Sequence, residues 1–403
     1  PKPWSSETEA QNFADHIEQA VLAEQLGFHS IWVTEHHYLE EYSHSSAPEV
    51  FLGAVAARTS RIRLGHGIRH TPPLINPPAR LAEAVGTLDL ISRGRVEFGI
   101  GEGATRLELA AHSVPAKEKR AMSLEAAEQI ANMMVMTPYP GWQGRHFQME
   151  CRNVVPKPLQ QPHPPMWMAC TNRDTIRIAA KLGLGALAFT FLDPHEATEW
   201  VETYYDIIKS EECVPLGHAV NARVAMVSSL AIADSRAQAI REGYHCYNFF
   251  KYALQSTILN GTIPGHTSLW DDYLREQNGD ERLEHAIAAA NASDEEYLGA
   301  EGTAADVTRR LSIFEDAGVD DILFTIQGGH RTHAQICDTL NRFSSDVMPS
   351  FEARSAERRE RREAELAPYI EAALGRKQIM RALAYDEIPL VPGARMEVKV
   401  GQL

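Results

Sequence analysis

The chain has 403 residues, 44% of them hydrophobic, with 39 Lys and Arg against 54 Asp and Glu, a formal net charge of −15. That length supports one large core or two smaller ones, and the acidic balance leaves no basic face of the size nucleic acid needs. No apolar run approaches the roughly 18 to 20 residues of a membrane span, and the opening "PKPWSSETEA" lacks a charged-then-apolar signal pattern.

Helix and strand patterns alternate along most of the chain. Phe13, Ile17, Val21, Leu22 and Leu26 recur at helical spacing and stop at Gly27, which predicts a helix with a glycine C-terminal stop. "SIWVT" then reads as a strand, "PEVFLGAVAARTS" as a proline-led helix, "RIRLGHGI" as a strand and "PPARLAEAVGTLDLIS" as a second proline-led helix. "GRVEFGIG" is a strand and "EKRAMSLEAAEQIANMMV" a helix. Residues 138–165 are rich in Pro and Gly and break the rhythm. "PPMWMAC", "RDTIRIAAKLG", "LGALAFTF", "HEATEWVETYYDIIKS" and "NARVAMVSSLAI" resume it as strand, helix, strand, helix, strand. Residues 244–299 hold aromatics and turn signals without clean alternation. "AADVTRRLSIFEDAG", "DDILFTI" and "THAQICDTLNRF" then give helix, strand, helix. A further helix is expected from Pro349 to about Lys377. Its "RSAERRERRE" run interleaves bases with acids and reads as a solvated face.

Strict alternation means parallel strands joined by crossover helices. The strands fall near residues 30, 63, 97, 167, 187, 225 and 323, and this spacing predicts an α/β fold, a parallel eight-stranded (β/α) barrel. The chain opens directly into a helix, so the remaining strand is expected to precede it. "GIGEGA" lacks the third glycine of a dinucleotide fingerprint, which disfavours an open doubly wound sheet. The expected organisation is one barrel domain over 1–349, with insertions at about 138–165 and 244–299, and a helix and tail over 350–403. Long insertions in barrels build the rim or lid of the site.

Five scattered cysteines, Cys151, Cys170, Cys213, Cys246 and Cys337, include no C-x-x-C pair and read as reduced thiols of a cytoplasmic protein. The stretch "IWVTEHHYLEEY" places Glu35, His36 and His37 where a buried strand ends, on the face where barrel chemistry lives. Adjacent strand residues point to opposite sides, and no ligand spacing supports an ion, so no metal site is expected here. An imidazole titrates near neutral pH and suits proton transfer. "CTNRD" leads into a helix, with Thr171 and Asp174 in the T-x-x-D pattern of a capping box. Free N–H groups at such a terminus favour an anion. Cys170 beside it reads as a small buried residue. Trp142, Phe147, Tyr244, Tyr247, Phe249, Phe250 and Tyr252 are candidates for a substrate rim.

"LGFHSIWVTEHH", "LDLISRGRVEFGIGEG", "GTAADVTRRLSIFEDAGVDDILF" and "NRFSSDVMP" together resemble the bacterial luciferase-like, flavin-dependent monooxygenases, from about Glu7 to Pro349. The first stretch is similar to the luciferase alpha chain, and "SSAPEVFLGAVAARTSRIRLGHGI" to the terpene-oxidising members. The resemblance implies a barrel that takes reduced FMN from a separate flavin reductase. With O2 this forms a C4a-hydroperoxide, which oxygenates a hydrophobic organic substrate. It implies that His36 is the catalytic histidine, with Glu35 orienting a ring or holding the loop. It also implies a non-proline cis peptide between Gly67 and Ile68 behind the flavin ring, and a flavin phosphate near Thr171, Asn172 and Arg173. A homodimer is common in the family. Gly101 and Glu102 stand where luciferase carries cysteine then arginine, so the reactive thiol and the phosphate-contacting arginine are not carried over, and Arg106 is the candidate substitute. Two other readings stand beside this one: a deazaflavin-dependent hydride-transfer oxidoreductase of the same fold, and a non-catalytic flavin-binding barrel.

Overall fold

A computed structural model describes residues 2–188, 194–279, 281–292 and 299–392. Seven parallel strands run in chain order across one curled sheet: β1 (Ser30–Val33), β2 (Arg63–His70), β3 (Val96–Gly101), β4 (Met166–Cys170), β5 (Gly185–Ala188), β6 (Val224–Ser229) and β7 (Asp321–Thr325). Each pairs with the next in parallel register, and β1 and β7 are the two edges of a nearly closed barrel. The part of the expected strand that falls on Phe189–Phe191 lies outside the described residues.

The first seven helices are α1 (Ser6–Gln25), α2 (Pro48–Arg58), α3 (Pro78–Ser92), α4 (Arg106–Ala111), α5 (Lys119–Val135), α6 (Arg173–Lys181) and α7 (Ala197–Ile208). α8 (Arg236–Leu259), α9 (Leu269–Glu276) and α10 (Glu281–Ala292) precede α11 (Ala304–Asp316), α12 (His333–Arg342) and α13 (Met348–Arg376). α1 stops as its sequence predicts. Phe28 N–H donates to the Ala23 carbonyl (2.9 Å) and Gly27 N–H to that of Glu24 (3.2 Å), with Gly27 at φ +91°. Those are the two bonds of a left-handed glycine cap.

The main core lies between sheet and helices. Leu64, Phe98 and Ile100 from the strands meet Leu52, Leu81, Val85 and Ile130 from the helices, all buried. Each such side chain contributes roughly 1.5–3 kcal/mol. Inside the barrel, Trp167, Leu187 and Ala225 pack with Trp32, Ile68 and Leu323. The Trp32 ring lies so close to β2 that a Cβ on Gly65 would come within 2.2 Å of it. Only glycine fits there.

Two expectations are corrected. Residues 244–299 are not an irregular rim but carry most of α8, together with α9 and α10. The buried face of α8 is Ala239, Ile240, Gly243, Cys246, Phe249, Ala253, Ser256 and Thr257, most of them small. That face has helical spacing, but small side chains hide it from a hydrophobicity reading. Within 138–165, Trp142–Gln143 and Gln148–Met149 form a short antiparallel hairpin. Its Trp142 indole donates to Glu125 (2.9 Å) and its Phe147 packs on the main core, so neither lines the central cavity. The arginine-rich run of α13 is largely exposed, as a solvated face should be, while three of its arginines also reach the barrel: Arg354 and Arg358 pair with Glu315 of α11, and Arg362 lies 4.0 Å over the Tyr205 ring of α7.

Candidate active site

The chain leaves β1 at Val33 and turns inward again, so Glu35 is buried although it is charged. Its Oε1 is 3.0 Å from His37 Nε2 and accepts from the Asn76 amide (2.8 Å). Its Oε2 accepts from the His70 backbone N–H (3.0 Å) and lies 2.8 Å from Arg69 Nε, an ion pair without hydrogen-bond alignment. Arg69 also pairs with Glu49. Burial alone would raise the Glu35 carboxyl, but the His37 hydrogen bond, the Arg69 and His70 charges and the Asn76 amide hold it at about 2. Glu35 therefore locks the end of β2 to the loop after β1 and orients the His37 ring. The same hydrogen bond raises the His37 pKa above its ordinary value.

His36 belongs to a second pair. Its Nδ1 is 3.1 Å from Oε1 of Glu108, which also accepts the His37 backbone N–H (3.0 Å). Glu108 is fully buried on α4, and its Oε2 accepts from the Thr105 hydroxyl (2.7 Å). Burial pushes the Glu108 carboxyl up, and the His36 hydrogen bond and charge, with His70 and Thr105, bring it down to about 2. The Tyr42 ring meets His36 edge-on at 5.0 Å, and Phe250 lies 5.0 Å beyond Tyr42. Sequence reasoning missed Glu108. Its signal was the T-x-x-E box at Thr105, and the Thr105 hydroxyl does accept the Glu108 N–H (3.2 Å) as the N-cap of α4.

Two further imidazoles complete the buried layer. Burial holds His70 at about 4 and His66, with the Arg69 charge added, at about 3, so both are neutral near pH 7. Neither Nδ1 has a hydrogen-bond partner among the described residues. The donor atoms of Glu35, His37 and His70 lie within 4.8 Å of one another, and so do those of His36, His70 and Glu108. His36 and His37 thus pair with different carboxylates because both follow the strand, not because they alternate along it. A cation at either set would have to displace a histidine–carboxylate bond, and at Glu35 it would also compete with Arg69.

The Gly67–Ile68 peptide is cis, and the β2–β3 register shifts between His66 and Arg69 around it. Ile68 lies across the end of β3, where a Cβ on Gly101 would come within 2.4 Å of it. Gly67 and Ile68 line one end of a long cleft, about 1930 Å³ in all, that takes in Thr34, Tyr42, Ala169, Leu187, Val227, Phe249 and Phe250 and runs out past Glu315 and Asp320 to Arg354, Arg358 and Arg362 of α13. His36, Gly101, Glu102 and Thr171–Arg173 are not on its wall, and neither are Tyr244, Tyr247 and Tyr252.

At the β4–α6 corner the capping box is shifted by one residue from the T-x-x-D expectation. Asn172 is the N-cap: its Oδ1 accepts the Thr175 N–H (3.0 Å), and Thr175 Oγ1 accepts the N–H groups of Asn172 (3.1 Å) and Thr171 (3.0 Å). Those two N–H groups are therefore spent on the cap. Arg173 is exposed and its guanidinium is clamped on Glu199 of α7. Glu102 is neutralised by Arg120 (2.8 Å) and Lys119 (3.3 Å), two cations that sequence reasoning did not single out. Cys170 is fully buried, as expected of a small packing residue.

The sequence pattern of luciferase-like monooxygenases matches residues 2–321. The oxygenase component of a flavin-dependent trigonelline monooxygenase from Acinetobacter baylyi is 25% identical over 361 residues, 88% of this chain and 94% of that protein. The chain spans about half the length of other curated relatives. It is 32% identical over 179 residues to the uncharacterised y4wF protein of Sinorhizobium fredii, 50% of that protein. It is also 28% identical over 175 residues to an F420-dependent glucose-6-phosphate dehydrogenase of Amycolatopsis mediterranei, 42% of this chain and 52% of that protein. Among solved structures, monooxygenase RslO1 from Streptomyces bottropensis superposes with a TM-score of 0.67 at 23% identity, over 85% of this chain and 94% of that one. The oxygenating constituent of 3,6-diketocamphane monooxygenase from Pseudomonas putida, in complex with FMN, gives 0.63 at 20%, over 86% and 94%. Identities this low show the fold alone.

Proposed function

The chain belongs to the luciferase-like monooxygenase family, and from that premise we propose that it is the oxygenase of a two-component system. In this reading it takes reduced FMN from a separate reductase and inserts one oxygen atom of O2 into a hydrophobic organic substrate. Two observations carry it together: the half-buried His36 imidazole held on the buried Glu108 carboxylate, and the cis Gly67–Ile68 peptide on the cavity wall.

The residues present fit a flat aromatic cofactor. Gly101 has no Cβ to push Ile68 off the end of β3, and Ala169, Leu187 and Val227 make the cavity wall around that ledge apolar. Reduced FMN, when bound, supplies the two electrons that activate oxygen. Gly67 and Ile68 would back its ring, and the β4–α6 corner would take its phosphate through Arg173 once that guanidinium leaves Glu199, the Thr171 and Asn172 N–H groups staying on the Thr175 hydroxyl. Arg120 and Lys119 bring positive charge close to Glu102, which answers the missing arginine better than Arg106 does. Glu108 holds His36 at Nδ1, so Nε2 is left to take and return a proton. Glu35 acts through His37, Arg69 and the end of β2, which makes it a positioning residue. Tyr42, Phe249 and Phe250 present the apolar wall to the substrate.

Likeness to the F420-dependent dehydrogenase keeps hydride transfer from a deazaflavin as the second reading. Anaerobic titration with reduced FMN and with reduced F420, followed by admission of O2 and a hydrophobic substrate panel, separates the two. The proposal expects tighter binding of reduced FMN and an oxygenated product. Preference for F420 with no oxygen uptake supports hydride transfer, and FMN binding with no turnover supports a non-catalytic barrel.

A further inference from the structure

Among the half-buried arginines that line the central cleft, Arg331 is the one without an acid. It lies in the loop "QGGHRT", which leads from β7 to α12. One terminal nitrogen donates to the Leu230 carbonyl (2.6 Å) and the other to the Thr339 hydroxyl, which leaves the second hydrogen on each unspent. Its Nε has no hydrogen-bond partner among the described residues. No carboxylate among them forms an ion pair with it. The other half-buried arginines on the wall each have one: Arg63 has Glu97, Arg223 has Asp321, Arg358 has Glu315 and Arg362 has Asp320. Burial lowers the Arg331 pKa against the pull of Cys246, Glu242, Glu301 and Asp338, yet a guanidinium stays charged in a protein.

A charge drawn out of water is costly unless an opposite charge answers it. A neutral carbonyl and a hydroxyl do not supply one, so the position favours an anion from outside the chain. The loop also fixes where that anion would lie. Gly328 and Gly329, on the same wall, pack on α8: a Cβ on Gly328 would come within 2.8 Å of the Cys246 carbonyl oxygen, and one on Gly329 within 3.0 Å of that of His245. One turn further along α8 come Phe249 and Phe250. Tyr42 then leads from Phe250 to His36, with ring centroids 5.0 Å apart at each step. The wall therefore runs from a cation across three aromatic rings toward the proton-handling pair.

We propose that Arg331 binds a carboxylate of the substrate, so that the substrate class is an amphipathic organic acid whose apolar body lies on Phe249, Phe250 and Tyr42. This assignment rests on the oxygenase reading and narrows its substrate. The planar guanidinium matches a carboxylate, and its unspent N–H groups are the donors for it. The flavin phosphate is the other anion of that reading, but its proposed place is the β4–α6 corner, and β5 and β6 separate that corner from β7 in the sheet.

Calorimetric binding of matched probes to the whole chain tests this: decanoate against decanol, and cinnamate against methyl cinnamate. The wild type should bind each acid about tenfold or more tighter than its neutral partner, as a hydrogen bond to a charged group allows. Arg331→Met should erase that preference. Arg331→Lys keeps the charge but not the planar fork, and should reduce the preference roughly threefold or more. If Arg331→Met does not fold, as judged by circular dichroism, Arg331→Lys carries the test. The ratio of FMN to riboflavin affinity should be the same in the wild type and in the variant that folds. The probe assay needs neither flavin nor O2, so its outcome is separate from that of the oxygenation test. No acid preference in the wild type, a preference that survives Arg331→Met or is unchanged in Arg331→Lys, or an FMN advantage that disappears with Arg331 overturns the proposal.

Discussion

The two ends of the proposed flavin site are built in opposite ways. At the β1–β2 end, Glu35 and Glu108 are buried, each carboxylate has several partners, and each holds one imidazole through a ring nitrogen. At the β4–α6 end, residues Thr171 to Asp174 are exposed, and Arg173 is held only by another surface side chain, Glu199. Buried, mutually satisfied polar groups are costly to rearrange, whereas exposed ion pairs are worth little. The difference suits a cofactor used as a co-substrate: in the proposed reading the proton-handling end is preorganised, and the phosphate end would exchange partners as the cofactor comes and goes.

Breaking the rigid end should have the largest effect. Glu35→Ala leaves Arg69 without its buried partner, and removing one member of such a pair costs about 3–5 kcal/mol. Urea unfolding should show that loss, and a change below 1 kcal/mol would mean that Glu35 is not the lock of this corner. Glu108→Gln tests the next layer. A hydrogen bond to a charged group is worth about 1.5–3 kcal/mol, so product formation should fall roughly tenfold to a hundredfold. The same change made in His36→Ala should cost nothing more, since Glu108 acts through that ring. Additive losses would separate the two residues.

Acid should then loosen the same end. His66 and His70 stay neutral in the fold down to about 3 and about 4, while the unfolded chain protonates its histidines near about 6.5. The unfolded state binds more protons in that window, so stability falls as pH drops through it. Glu35 and Glu108, both held at about 2, extend the loss from about pH 4.5 downward. His37 has the opposite sign: its raised pKa adds stability below about 6.5 that disappears as pH rises through the folded value. Unfolding midpoints at pH 7, 5.5 and 4.5 should decrease in that order, and His70→Gln should flatten the slope. The smallest effect belongs to the open end. Arg173→Ala should weaken FMN binding a few-fold and riboflavin binding less, because Arg173 must first leave Glu199. Equal weakening of both would count against phosphate contact.

The contrast between the two ends also explains what the sequence revealed. Alternation exposed all seven strands because each carries its own apolar run between helical patterns. His36 was legible from its place at a strand end, and the cis Gly67–Ile68 peptide from the family resemblance. Glu108 was not, because its partner lies on another loop and its helix spans only Arg106–Ala111. The cap at Asn172 was missed by one residue, since Thr171–Asp174 and Asn172–Thr175 both satisfy a capping pattern and only the backbone chooses between them. Lys119 and Arg120 were passed over because nothing in their own segment points to Glu102, which precedes them by a loop and a short helix.

One measurement bears most directly on the central claim. Wild type and His36→Ala would each be mixed with reduced FMN, ¹⁸O2 and a hydrophobic substrate panel, and the products weighed by mass spectrometry while peroxide is assayed. The account predicts one labelled oxygen in the wild-type product. It predicts unimpaired FMN binding by the variant, with product formation reduced by about 10² to 10⁴ and the electrons diverted to hydrogen peroxide. Equal labelled product from both proteins, or none from the wild type on any substrate tried, would contradict it.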